Sequence, residues 1–62
     1  MEVGQNVKLV RLRDRVSSSI AGKLGKTGVI TGYKVLDGGV GVIVKFDDNT
    51  STWFFEDEVK AV

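Results

Sequence analysis

The sequence predicts an all-β fold, a small five-stranded barrel with a long loop after the first strand. Three observations carry this. Short runs rich in valine, isoleucine, threonine and aromatic residues recur along the chain, punctuated by turns bearing Gly, Asp and Asn. Within those runs the side chains sort by alternation, the period of a strand, rather than by helical spacing. A stretch of 14 residues from Arg13 to Lys26 interrupts them early, and Glu56-Asp57-Glu58 forms a tight polar connector near the end. Five strands with one long early loop and one short late connector match an SH3-like barrel; an open OB-like barrel is the alternative.

Taken in order, Val3 to Leu12 (VGQNVKLVRL) is the first strand, entered through a Gly-Gln-Asn turn. Val7 and Leu9 lie on one face with Arg11, and Lys8, Val10 and Leu12 on the other; both faces carry apolar residues, so alternation leaves the orientation open. In the loop that follows, Val16, Ile20 and Leu24 recur every four residues, enough to pin it and to form one helical turn with a serine near Ser17 as its cap. Gly22 and Gly25 stop anything longer. Gly25 to Tyr33 is the second strand, with Gly28, Ile30 and Gly32 on one face, a pattern that anticipates sharp bending or close backbone approach. A turn at Asp37-Gly38-Gly39 leads to the third strand, Val40 to Phe46. Thr50 to Phe55 is the fourth, and Val59 to Val62 closes the sheet.

The third and fourth strands concentrate the aromatic residues: all three Phe and the one Trp lie between Gly39 and Val59. A two-residue or four-residue loop pairs Phe46 with Ser51, Val44 with Trp53, Ile43 with Phe54 and Val42 with Phe55. Val42, Val44, Phe46, Trp53 and Phe55 then face the core, whereas Ile43, Lys45, Thr52 and Phe54 face outward. A three-residue or five-residue loop reverses one strand.

Composition limits the functions open to the chain. Sixty-two residues make one domain, 1–62, with a core too small for more than about 3–5 kcal/mol of net stability. With no cysteine and no histidine, disulfides, thiolate chemistry and the usual zinc sites are excluded, and no cofactor is expected. Apolar runs fall short of the roughly 20 residues of a membrane span, so a soluble protein, or one held at a membrane through a partner, is expected. Asp47-Asp48 and Glu56 to Glu58 are adjacent turn carboxylates, which lack the opposed geometry of an acid/base pair. Gly25 to Gly32 lacks the phosphate-loop pattern. Enzyme activity is therefore not expected.

Two features point instead to binding. The net charge is +1, yet seven basic residues between Lys8 and Lys34 face only Asp14, and six acidic residues between Asp37 and Lys60 face only Lys45 and Lys60. Arg11, Arg13 and Arg15 alternate, so an extended backbone projects all three to one side, towards an acidic protein surface or a phosphate. With Lys23 and Lys26 they make nucleic-acid binding the alternative function, against which stand the near-neutral charge and the acidic C-terminal half. Phe54 and Ile43, if outward, form an apolar patch, which Tyr33 or Val29 extends. Arg11, Arg13, Arg15, Ile43 and Phe54 are thus the candidate partner-binding residues.

The segments RLRDRVS, LGKTGVITGYK and GVGVIVKFDDNTSTWFFEDEV resemble the small cyanobacterial and red-algal family of PetP-type cytochrome b6f subunits. The resemblance spans Met1 to Val62 and is most specific at Arg11 to Val16 and Thr52 to Glu58. It implies an SH3-like barrel without catalytic activity that binds cytochrome b6f peripherally on the cytoplasmic side of the thylakoid membrane and influences photosynthetic electron flow. It implies no cofactor, a monomer when isolated, and no assigned contact residues.

Overall fold

The computed structural model describes residues 1–12 and 18–62. Five strands form one antiparallel sheet: β1 (Asn6–Leu9), β2 (Thr27–Leu36), β3 (Gly39–Phe46), β4 (Ser51–Phe55) and β5 (Val59–Ala61). Their order is β4-β3-β2-β1-β5, so β1 joins the first hairpin to the last strand, and the sheet curls around its own inner face. This is the small β-barrel that alternation and turn spacing predict.

Every strand contributes to the core, which comprises Val7, Leu9, Ile30, Val42, Val44, Phe46, Phe54 and Val59, with Leu12 and Ile20 packed against it. β1 settles its own orientation, since Val7 and Leu9 are buried while Asn6 and Lys8 face solvent. Close approach of β2 to β3 depends on Gly28, because a Cβ there meets Val44 Cγ1 at 2.6 Å and the Lys45 carbonyl oxygen at 2.8 Å. The pairing slips by one residue between Ile30 and Gly32. That bulge moves Gly32 off the inner face expected for it and sets it opposite Ile43 on the outside.

The β3–β4 hairpin departs from the expected register. Phe46 N–H donates to the Thr50 carbonyl at 2.8 Å, and Asn49 N–H donates back to the Phe46 carbonyl at 3.0 Å. The loop is therefore three residues, Asp47 to Asn49, with Asn49 at φ 68°, a left-handed position that Asn tolerates better than most residues. Val42 pairs with Phe54, Ile43 with Trp53 and Val44 with Thr52. One residue of slip reverses every side chain on β4. Phe54 is the one buried in the core, 0% exposed, and meets Phe46 edge to face at 6.0 Å; Trp53 and Phe55 turn outward and are half-buried. The expected outward Phe54, and the inward Trp53 and Phe55, are corrected accordingly.

The long loop does contain one helical turn, α1 (Ser18–Ala21), and Ile20 reaches the core as expected. Leu24 does not pin the loop, being 52% exposed, and Val16 and the expected cap near Ser17 lie outside the described residues. Lys23 takes that role. Its ammonium donates to Asp48 Oδ2 at 2.6 Å and to Thr50 Oγ1 at 2.8 Å, and sits 5.0 Å from the Phe46 ring centroid. The Lys23 and Thr50 hydrogen bonds hold the Asp48 carboxyl well below the usual carboxylate range. Because the folded-state pKa is depressed, this tie contributes above the ordinary Asp value of about 3.9 and fades as pH falls below it. Asp48→Asn is expected to narrow the stability difference between pH 6 and pH 3 in urea titrations; an unchanged difference contradicts the tie.

Glu56–Glu58 forms a 3-10 turn leading into β5. Glu58 turns inward and is fully buried, its carboxyl accepting the Phe55 N–H at 2.8 Å. Its backbone carbonyl accepts Val10 N–H at 2.9 Å and Arg11 N–H at 3.3 Å, which ties the connector to the end of β1.

Candidate functional site

The three-residue hairpin loop builds an apolar outer face on β2, β3 and β4. Ile43 pairs with Trp53, and Gly41 with Phe55, so these side chains share the outer side of the sheet. Trp53 and Phe55 meet edge to face at 5.2 Å. Lys34, opposite Gly41 on the neighbouring strand, places its ammonium 5.5 Å from the Trp53 ring centroid. Leu36 lies against Gly41 closely enough that a Cβ there would sit 2.9 Å from Leu36 Cδ1. Ile43, Trp53, Phe55 and Leu36 are all half-buried, so the face is apolar and partly accessible.

The candidate residues are not brought together. Ile43 lies on this face, as expected, while Phe54 lies behind it in the core and cannot meet a partner without unfolding. Arg11 is exposed and ion-paired with Asp57. Arg13 and Arg15 lie outside the described residues. Tyr33 falls opposite Val42, away from the outer face, and its hydroxyl donates to the Met1 carbonyl at 2.6 Å. Trp53, Phe55, Leu36 and Lys34 are the residues that sequence reasoning missed. The signal that finds them is Asn49, a left-handed residue closing a three-residue loop, which fixes the register and with it the side each aromatic takes.

Among the described residues, two ion pairs join the charged halves of the sequence. Arg11 pairs with Asp57 and Lys23 with Asp48, each joining the basic first half to the acidic second. Among the described residues no acidic cluster suited to a metal ion forms, and no helix is long and apolar enough to cross a membrane.

Comparison with known proteins agrees across sequence and structure. Residues 3–60 match the family model described as cytochrome b6f, subunit Tsr0524-like. An uncharacterized protein, ORF65, of Porphyra purpurea is 33% identical over 60 residues, covering 95% of this chain and 92% of the relative. The solution structure of the cyanobacterial cytochrome b6f complex subunit PetP is 63% identical, with a TM-score of 0.95, covering 100% of this chain and 80% of that one. On both the family match and the near-superimposable barrel, this chain belongs to the Tsr0524-like family of cytochrome b6f subunits.

Proposed function

We propose that the protein is a non-enzymatic accessory subunit that binds the cytochrome b6f complex peripherally, on the cytoplasmic side of the thylakoid membrane, and thereby influences photosynthetic electron transport. The observation that carries this reading is the 63% identity over the whole chain to a structure of a b6f subunit. The barrel is a monomer when isolated and meets the complex through the outer face of β2, β3 and β4, where Ile43, Trp53 and Phe55 supply apolar contact and Lys34 a flanking charge. Of the residues first assigned to contact, Ile43 is retained, Arg11 flanks the connector through Asp57, and Phe54 is replaced by its two neighbours. Nucleic-acid binding has less support, because Arg11 and Lys23 are already engaged by carboxylates.

Co-purification tests both parts of this reading. Tagged protein is expected to retain cytochrome b6f from detergent-solubilised thylakoids, and Trp53→Ser to lose it while folding. The half-buried indole makes that change cost only about 1–2 kcal/mol. Absence of b6f from the wild-type eluate overturns the function; full retention by Trp53→Ser overturns the face.

A further inference from the structure

Beyond Ile43, from Lys45 on β3 across to β5, the outer side of the barrel carries a different surface. Lys8 on β1 pairs directly with Lys60 on β5, so two ammonium groups stand side by side on the outer face. One row along, Lys45, Val29 and Asn6 follow each other across β3, β2 and β1, and Val62 N–H donates to the Asn6 carbonyl at 3.1 Å. The three lysines are exposed, and among the described residues none of them is in an ion pair. Val29, 38% exposed, lies between Lys45 and β1, and Val62, 69% exposed, lies at the end of that row beside Asn6.

Like charges directly opposite on paired strands destabilise a sheet. Among the described residues neither Lys8 nor Lys60 is in an ion pair, so an external anion is free to offset that repulsion. An anion is the complementary partner. The lysines stand on an outer sheet surface among Val, Asn and Thr, and they are mobile, hydrated point charges rather than the planar forks that recognise one carboxylate. Such a surface suits a diffuse plane of negative charge, with the two valines able to enter an interfacial layer.

We propose that this lysine–valine face rests against an anionic lipid surface. The proposal leans on the reading above in one respect, since a b6f subunit has a bilayer within reach. The two surfaces meet on β3, where Ile43 belongs to the aromatic face and Lys45 to the lysine face, and spread from there towards β4 and β5 respectively.

Flotation with vesicles tests this on the isolated chain, without b6f present. The protein is expected to float with phosphatidylglycerol–phosphatidylcholine vesicles at about 10 mM salt, where the Debye length is about 30 Å, and to be released at about 1 M, where it is about 3 Å. Phosphatidylcholine alone should not bind it. Each lysine at an anionic surface strengthens binding about fivefold, so the double change Lys8→Ala with Lys60→Ala should weaken it about 25-fold. Lys60→Glu should abolish flotation yet raise the thermal midpoint, because it turns a repulsive pair into an attractive one; a folded variant is thereby assured. Absence of anionic-vesicle binding, equal binding to both vesicle types, or undiminished flotation of Lys60→Glu overturns the lipid contact. If b6f is still captured in that case, the proposed function stands alone. If Lys60→Glu loses b6f while wild-type protein ignores vesicles, the face is a protein contact and the lipid proposal fails.

Discussion

Phe54→Ser is expected to leave the protein largely unfolded at room temperature, whereas Trp53→Ser, one residue away, is expected to leave it folded. Phe54 is fully buried, pairs across the sheet with Val42 and stacks its ring edge against Phe46. Removing a large buried aromatic costs about 3–5 kcal/mol, and a serine adds a hydroxyl that the apolar core cannot satisfy. A core of this size leaves net stability of about the same magnitude, so the change consumes nearly all of it. Trp53 is half-buried on the outer face, and its indole retains solvent contact. Circular dichroism and urea titration of the two variants check the contrast. Equal destabilisation by both is the result that contradicts the observed register.

That contrast also shows what the residues made legible. The five strands in order, a helical turn in the long loop, the close approach at Gly28 and the inward set Val42, Val44 and Phe46 on β3 follow from alternation and turn chemistry, although β1 is shorter than the expected Val3 to Leu12 and β2 runs past the expected Tyr33 to Leu36. What did not follow is which way β4 faces. Alternation fixes only that Trp53 and Phe55 oppose Phe54; the loop length chooses between the two outcomes, and Asp47 to Thr50 accommodates loops of either parity until Asn49 is known to be left-handed. The bulge between Ile30 and Gly32 has the same character, because one extra residue exchanges inner and outer faces with little mark in composition. Charge was misleading for a different reason. The split between basic and acidic halves is a property of the linear chain, and folding brings Arg11 to Asp57 and Lys23 to Asp48. Among the described residues, Lys8, Lys45 and Lys60, drawn from both halves, are exposed and in no ion pair. Family membership was legible in the sequence, since the motif segments lie within the residues 3–60 of the family match.

Glu58 is the residue whose importance composition hides most. In sequence it is the third of three acidic residues in a connector, and a solvated role is the natural expectation. In the fold it is 0% exposed, and its carboxyl accepts the backbone N–H of Phe55 at the point where β4 ends and the 3-10 turn begins. Its carbonyl meanwhile receives two N–H groups from the strand end that leads into the long loop. The side chain therefore fixes the geometry of a junction joining β4, β5 and β1. Glu58→Ala removes a buried acceptor, leaves the Phe55 donor unmatched and opens a void, a combined loss of about 2–3 kcal/mol. Glu58→Gln keeps an acceptor of nearly the same shape at Phe55 and is expected to lose less than Glu58→Ala. Glu56→Ala, on an exposed neighbour, should stay within about 0.5 kcal/mol of the parent. Urea midpoints order the three variants, and an alanine at position 58 that unfolds at the same denaturant concentration as the parent contradicts the junction role. Because Phe55 lies on the outer aromatic face, Glu58→Ala should also loosen the Trp53–Phe55 edge-to-face contact and weaken b6f capture beyond what its lower stability explains. The measurement that separates the two effects is capture at a temperature where the variant is fully folded: a fold defect alone leaves it unchanged there, whereas a displaced Phe55 lowers it.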